Sequence, residues 1–450
     1  MVILTVMNKN RRLLMVPQYS NYDRSGRFIL EADSTWQMCI NRIREMLKLM
    51  PELSVDIVTP LFDQVITKPQ QVNPDLFEKY GRPDFANGVI YPRLQVFPMY
   101  IVPNALQSRY DFDMDSWKSL LCTQTYNYDT VYINDPMHLR NFKALFAMKM
   151  GYRPRFVVHS HFIDNPSAPK FMTEASLWMG QCEAARRADF NFWQSHSSMS
   201  VFFEEIEKEY HTSIVKDIKM KSCPYDDGYS IEEITSPVNY DSAKTQLLDS
   251  LKMFKSQGKT IVFVPNRIGR EGVSSDYTRC GKFMFEVLPK LASLRSDYVI
   301  ICGNPSQKIP NHQLMNECGS HGYVNMFHAA PSRDEYKIVA SNADIVVAMY
   351  GGPNADTYGG TAMRECVELG CAPIMANCNE YKRLGDMVDW PYRCREDMSD
   401  THIVLSKMIE DVKNNGNELA MKKRSFKAIV QELCSFEKTT LTIMKYLFND

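Results

Sequence analysis

The sequence lacks several features that would place it in a class at once. None of its twelve cysteines forms a Cys-x-x-Cys pair, and they are scattered along the chain. That argues for reduced thiols in a cytosolic compartment. No secretory signal is visible, because Met1-Val-Ile-Leu-Thr-Val is short and runs into Asn8-Lys-Asn-Arg-Arg. No apolar run approaches the ~18 residues of a membrane-spanning helix. The net charge is −1, so no global field draws in polyanions, and any nucleic-acid contact must come from a local patch. There is no internal repeat and no low-complexity tract.

What is present is a globular composition, 44% hydrophobic and 23% charged, in 450 residues. That length suits two or three domains with large cores. The chemistry concentrates in residues 344–374. Asp344-Ile-Val-Val-Ala-Met-Tyr350 is an apolar, β-rich run, and Gly351-Gly-Pro-Asn-Ala-Asp-Thr-Tyr-Gly-Gly360 is a loop. Thr361-Ala-Met-Arg-Glu-Cys-Val-Glu-Leu-Gly370 has a helical period, and Cys371-Ala-Pro-Ile374 is a second apolar run. Strand, loop, helix, strand is one parallel βαβ unit. Gly359 and Gly360 have no Cβ, so a ligand can approach the backbone closely. Thr361 reads as a helix N-cap, and the first amides of such a helix favour phosphate. Glu365, one turn later, can accept two hydrogen bonds from a ribose diol. The plain alternative is an ordinary βαβ unit with a solvated Glu.

Earlier in the chain, residues 1–7 read as a buried first strand and 8–31 as polar loop. A helix capped by Ser34 is expected to about residue 49, then a strand at 55–61, an insertion at 62–88, and strand followed by coil at 89–102. Asp111-Phe-Asp-Met-Asp115 resembles a metal motif of some sugar transferases, but it precedes a helical run where aspartates serve as caps. Strands at 130–133, 155–158 and 190–193 alternate with helices at 139–149, 171–187 and 199–210, which implies a parallel sheet covered on both faces. Residues 223–246 break the pattern and make the best linker. A second series has strands at 260–264, 298–302 and 324–327 and helices at 283–294 and 334–341. The βαβ unit follows, and then three amphipathic helices at about 400–413, 417–433 and 436–448. The expected fold class is α/β, with two doubly wound, Rossmann-like domains. Residues 1–237 form the first and 238–430 the second, and a helix in 431–450 packs back on the first.

Ligands of such sheets bind at the carboxyl ends of the strands. In the second domain those ends carry Arg267, Arg270, Gly303, His328 and the Gly359-Gly360-Thr361 loop with Glu365. Guanidinium forks match phosphate oxygens, so two arginines beside a helix N-terminus suit a diphosphate, and a positive site stabilises it as a leaving group. On these residues the chain resembles the GT-B glycosyltransferases over about residues 260–375. Phe263-Val-Pro-Asn-Arg-Ile is similar to that family's first strand and diphosphate-binding Arg. Asn325-Met-Phe-His through Ala343-Asp-Ile-Val-Val resembles the border of the base pocket. Gly360 through Glu365 and Gly370-Cys-Ala-Pro-Ile resemble the Gly-rich turn and the Glu-bearing helix.

The resemblance implies two facing domains, with a nucleoside-diphosphate sugar, foremost a UDP-sugar, held by the second and no obligatory cofactor or metal. It assigns Arg267, Arg270, Gly359, Gly360 and Thr361 to the diphosphate, and Glu365, His328 and Gly303 to the ribose and base. Two departures matter for the retaining outcome that the resemblance implies. Thr357, with Asp356 beside it, stands where retaining members with a Glu-x7-Glu pair carry their first Glu. The usual Lys after the Arg is absent, with Arg270 as its replacement.

A narrower match lies in the first domain. Val157-Val-His-Ser-His161, Ala185-Arg-Arg-Ala-Asp189 and Ser195-His196-Ser197 look similar to segments of T-even phage DNA α-glucosyltransferases. Those enzymes transfer glucose from UDP-glucose to 5-hydroxymethylcytosine in duplex DNA. Their Asp between the two histidines is Ser160 here. His159 and His161 are expected together at a strand end facing the interdomain cleft, where imidazole can take a proton from an acceptor hydroxyl. Asp135 and Asp164 are rival bases. A duplex DNA partner would need a basic rim, for which Arg140, Lys143, Arg153, Arg155 and the Arg186-Arg187 pair are available. The sequence thus points to a cytoplasmic glycosyltransferase, in a host cytoplasm if phage-encoded, acting on a hydroxymethylated pyrimidine in DNA. A surface glycan, lipid or small-molecule acceptor is the first alternative. An inactive sugar-nucleotide-binding protein and a sugar-nucleotide epimerase are the others.

Overall fold

Leu13-Leu-Met-Val16 is an unbroken apolar run, the pattern of a strand covered on both faces. In the computed structural model it lies within β1 (Arg12–Pro17). The structure describes residues 11–17, 34–60, 94–99, 101–104, 109–112, 114–121, 127–134, 152–160, 175–225, 228–268, 280–304, 309, 311–327, 331–349, 360–414 and 416–448. The chain divides into two units, one of Met1–Tyr225 with Thr439–Asp450 and the other of Asp226–Lys438.

In the first unit, β1 is followed by β2 (Ser54–Pro60), β3 (Leu94–Met99) and an antiparallel pair, β4 (Ile101–Asn104) with β5 (Arg109–Phe112). β6 (Thr130–Asn134), β7 (Arg155–Ser160), β8 (Phe190–Trp193) and the short β9 (Ser222–Pro224) complete it. Apart from the β4–β5 pair, these strands form one sheet in the order β3-β2-β1-β6-β7-β8-β9, parallel throughout. The Phe436–Phe448 helix at the end of the chain contributes Ile443, Met444, Leu447 and Phe448 to this unit's core. The Thr130 hydroxyl donates to the Leu447 carbonyl at 2.6 Å.

The second unit contains β10 (Thr260–Arg267), β11 (Tyr298–Asn304), β12 (Tyr323–Val324), β13 (Ile345–Ala348), β14 (Ala372–Ala376) and β15 (Arg393–Cys394). They form a parallel sheet in the order β12-β11-β10-β13-β14-β15. In both sheets the strand order reverses beside the first strand, between β1 and β6 and between β10 and β13. The crevice outside the carboxyl ends of the strands at such a reversal is where doubly wound sheets bind ligands.

Two expectations are corrected. Residues 12–17 are a central strand rather than polar loop: the run at 13–16 is short enough to be lost between Arg11-Arg12 and the polar residues after it, yet it fills the space between β2 and β6. The strand expected at 1–7, the insertion at 62–88 and the helix at 139–149 lie outside the described residues. The boundary between the units falls inside the 223–246 segment, at 225/226 rather than 237/238, and two helices start within it. The segment's polar residues act as caps: Ser230 starts the Ile231–Thr235 helix and Asp241 starts the Ser242–Ser256 helix, each side chain accepting from a first-turn amide. Gly228 packs where a Cβ would come within 2.6 Å of the Phe436 ring.

Candidate functional site

The reversal point of the second sheet brings two of the predicted segments side by side. β10 ends at Arg267 and pairs directly with β13, Val262 opposite Ile345 and Phe263 opposite Val346. The chain leaving β13 re-enters the described residues at Gly360, where the Thr361–Glu368 helix begins. Gly360, not Thr361, is the N-cap. Its backbone is extended and its carbonyl accepts from the Met363 and Arg364 amides at 3.1 and 3.4 Å. Thr361 is therefore the first helical residue, and the amides that precede the first intrahelical bonds belong to the helix start. Arg270, His328 and Gly359 lie outside the described residues, and Arg267 is described only in its backbone.

Glu365 is buried, with only 8% of its surface exposed. Both its carboxylate oxygens already accept hydrogen bonds. Arg333 Nη2 donates to Oε1 at 2.6 Å and Nη1 to Oε2 at 3.0 Å. Arg333 occupies the first turn of the Arg333–Asn342 helix, which Ser332 and Glu335 start with a reciprocal capping box. The same guanidinium grips Glu233 on the Ile231–Thr235 helix, Nε to Oε1 at 3.0 Å and Nη2 to Oε2 at 2.5 Å. Lys337 adds a second cation 3.6 Å from Glu233 and donates to the Ser236 hydroxyl at 2.6 Å. Burial pushes the Glu233 carboxyl up, but the hydrogen bonds and charge of Arg333, with help from Lys337, outweigh it and hold it below the usual range. Tyr336 donates to the Ala362 carbonyl at 3.1 Å and lies under the Arg333 guanidinium, tying the two helix starts together. Glu368, on the same helix as Glu365, is spent inside the fold on Tyr229, Lys427 and Gln431.

Gly303 is buried in β11, and the neighbour that excludes a side chain there is the Phe263 ring, 2.7 Å from where a Cβ would sit. Its missing Cβ is thus accounted for by packing of the sheet, whatever its part at the ribose and base.

In the first unit, His159 is wholly buried in β7, between Asn134 of β6 and Phe192 of β8. The Tyr132 hydroxyl lies 2.8 Å from its Nδ1, and Arg42 Nη1 lies 2.7 Å from that hydroxyl and 3.3 Å from Nδ1. Arg42 can only donate, so Nδ1 acts as the acceptor and the neutral ring carries its proton on Nε2. The Tyr225 ring closes the cluster, edge-on to His159 at 5.2 Å and beneath Arg42 at 4.8 Å. This corrects the placement of His159 as a strand-end base: it is the penultimate residue of β7, level with the last residue of β6, and its side chain is wholly buried rather than open at the strand end. His161, Asp135 and Asp164 lie outside the described residues. Ser195 caps the His196–Glu209 helix at the carboxyl end of β8, its Oγ accepting from the Ser198 amide at 3.0 Å, and His196 is exposed there.

The arginines expected to form a phosphate rim lie at the opposite, amino edge. Arg153 precedes β7 and pairs with Asp189 at 3.0 Å, while Arg186 and Arg187 end the Ala175–Arg187 helix and pair with Glu183. A cavity of about 360 Å³ at that edge is lined by Arg11, Asp129, Arg153, Arg155 and Asp189 among others, so its charges are mixed. Arg140 and Lys143 are outside the described residues. Among the described residues no group of three His, Cys, Asp or Glu side chains could hold a metal ion, and no helix is long and apolar enough to cross a membrane.

No family model matches the chain, and a search of curated proteins finds no relative. Solved structures do match along nearly the whole length. A glycosyltransferase from Rickettsia africae superposes with a TM-score of 0.64 at 12% identity, covering 98% of this chain and 100% of that one. A sucrose-phosphate synthase from Thermosynechococcus elongatus gives 0.62 at 11%, covering 97% and 98%. Anabaena HepE, in complex with UDP-glucose, gives 0.60 at 16%, covering 97% and 99%. The chain has the GT-B fold. At these identities the likeness establishes the architecture, two α/β units with parallel sheets, and leaves the chemistry to the residues.

Proposed function

We propose that the chain is a glycosyltransferase that moves a sugar from a nucleoside-diphosphate sugar, foremost a UDP-sugar, to an acceptor hydroxyl. The observation that carries this is the adjacency of the Arg267 strand end and the Gly360–Thr361 helix start at the reversal point of the second sheet, with Glu365 one turn on. The fold supports it, since HepE carries UDP-glucose in its own structure. In this reading the unit of residues 226–438, which includes the expected 238–430, binds the donor. Arg267, Arg270, Gly359, Gly360 and the Thr361 amide hold the diphosphate and stabilise it as it leaves. Glu365 takes the ribose, and His328 borders the base. The nucleotide sugar is a co-substrate, and the scheme calls on no further cofactor. The first unit, residues 1–225 with 439–450, binds the acceptor, with His161, Asp135 or Asp164 as the base that takes its proton. We assign retention of anomeric configuration as the outcome, from the GT-B resemblance around Glu365.

The test is donor binding followed by turnover. Arg267→Ala is expected to weaken UDP binding about 100-fold, the scale of a lost charge-assisted phosphate contact. Titration calorimetry with UDP, GDP and their glucose conjugates reads it. Wild-type protein that binds none of these at millimolar concentration would end the proposal.

For the acceptor, a hydroxymethylated pyrimidine in duplex DNA is the narrower proposal, carried by the 157–161, 185–189 and 195–197 matches. The position of Arg153, Arg186 and Arg187 at the amino edge, paired to carboxylates, favours instead a glycan, lipid or small-molecule alcohol. A gel shift with hydroxymethylated and plain duplexes separates the two. Donor hydrolysis without DNA retention selects the second.

A further inference from the structure

We propose that Arg333 is a positioning residue for ribose recognition, which rests on the donor-site reading above. A carboxylate offers about four acceptor positions, and a forked arginine takes two of them. The two that remain on Glu365 match the two hydroxyls of a ribose, provided the carboxylate plane is fixed. Arg333 fixes it. The guanidinium is a rigid planar fork, and it is anchored on its far side by Glu233, so it cannot swing with Glu365.

Two further observations point the same way. A cation in the first turn of a helix opposes the helix dipole, and the acids at Asp334 and Glu335 occupy the positions such a turn prefers. Arg333 sits there nonetheless, at the cost that its two carboxylate partners offset. It also follows β12, so its helix start lies at the carboxyl edge of the sheet, as does the start of the helix that carries Glu365. Its side chain is 43% exposed while that of Glu365 is 11% exposed, so the arginine is the partner in contact with solvent.

The experiment compares the dissociation constants of UDP and 2′-deoxy-UDP, and of the guanosine pair, for the wild type and for Arg333→Lys. A site that hydrogen-bonds a sugar hydroxyl through a charged group should prefer the ribonucleotide by about tenfold or more. Arg333→Lys keeps the charge but loses the fork, so the preference is expected to fall to within about threefold, with 2′-deoxy-UDP affinity changed by less than about threefold. Glu233→Gln, which loosens the anchor and spares the Arg333–Glu365 pair, should give an intermediate ratio. A purely structural role would weaken ribo and deoxy ligands together and leave the ratio at its wild-type value, and that result overturns the inference. A wild type that binds UDP without preferring it over the deoxy form also overturns the inference while the donor site stands. A wild type that binds no nucleotide removes both.

Discussion

Arg42 in the first unit and Arg333 in the second each hold groups from neighbouring elements, yet only one of them stays in touch with solvent. Arg42 is fully buried, donating to Tyr132 and facing His159 and the Tyr225 ring. Arg333 is nearly half exposed and clamps two carboxylates at a strand-end edge. A sealed cation has been stripped of water and is tolerated for what it holds in place, whereas a cation on an open edge can still meet an incoming group. The polar residues of the two units are thus of different kinds. Those around His159 belong to the packing of a sheet, and those around Glu365 can serve a ligand.

The largest effect that could break this contrast is on stability. Arg42→Ala is expected to cost about 3–5 kcal/mol, from the cavity and the orphaned partners together. Arg333→Ala is expected to cost less, about 1–3 kcal/mol, because its guanidinium is partly exposed and water can reach the two carboxylates once it is gone. Urea denaturation of both variants reads the difference, and equal losses would mean that Arg333 is as structural as Arg42.

Gly303 gives a sharper version with a smaller effect. If its missing Cβ serves the Phe263 ring, Gly303→Ala should destabilise the second unit by about 1–3 kcal/mol, the usual cost of overpacking. Nucleotide affinity would then be unchanged in protein that remains folded. A variant of wild-type stability whose UDP affinity falls would place Gly303 in the ligand site.

Much of this contrast could not be read from the chain alone. Parallel strands covered on both faces leave apolar runs, so β6, β7, β10, β11, β13 and β14 are visible as such, and β8 is visible despite Asn191. β1 is not, because four apolar residues beside two arginines carry little local signal. The Gly360–Glu365 segment was legible because its parts lie within one helical turn of each other. Arg333 was invisible for the opposite reason: its partners are 32 and 100 residues away, and a first-turn arginine looks like surface charge until both carboxylates are in view. The burial of His159 is not legible because a strand's own sequence does not say what packs against it: Asn134 and Phe192 stand level with it on either side, and Arg42, Tyr132 and Tyr225 close around it.

The smallest effect concerns pH, and there the two units carry carboxyl groups whose pKa values are shifted in opposite directions. In the second unit the Glu233 carboxyl is held below its usual 4.5 because Arg333 outweighs burial. The unfolded chain therefore takes up the proton first, so the stability this group contributes is complete above about pH 4.5 and is lost as pH falls through the folded value. In the first unit Asp56 is raised above its usual 3.8, because burial outweighs the hydrogen bond from Tyr128 and the charge of Arg12. Here the folded protein binds the proton first, so acidification through the raised value relieves a cost instead of removing a gain. Denaturation of Glu233→Gln and Asp56→Asn from about pH 6 down to about pH 3.5 separates them. Relative to wild type, the penalty of Glu233→Gln should shrink on acidification, because the wild type loses there what the variant never had. Any benefit of Asp56→Asn should shrink as well, because the wild-type group is then protonated and its burial is no longer opposed. A Glu233→Gln penalty that stays constant over that range would mean that Arg333 draws little of its hold from Glu233.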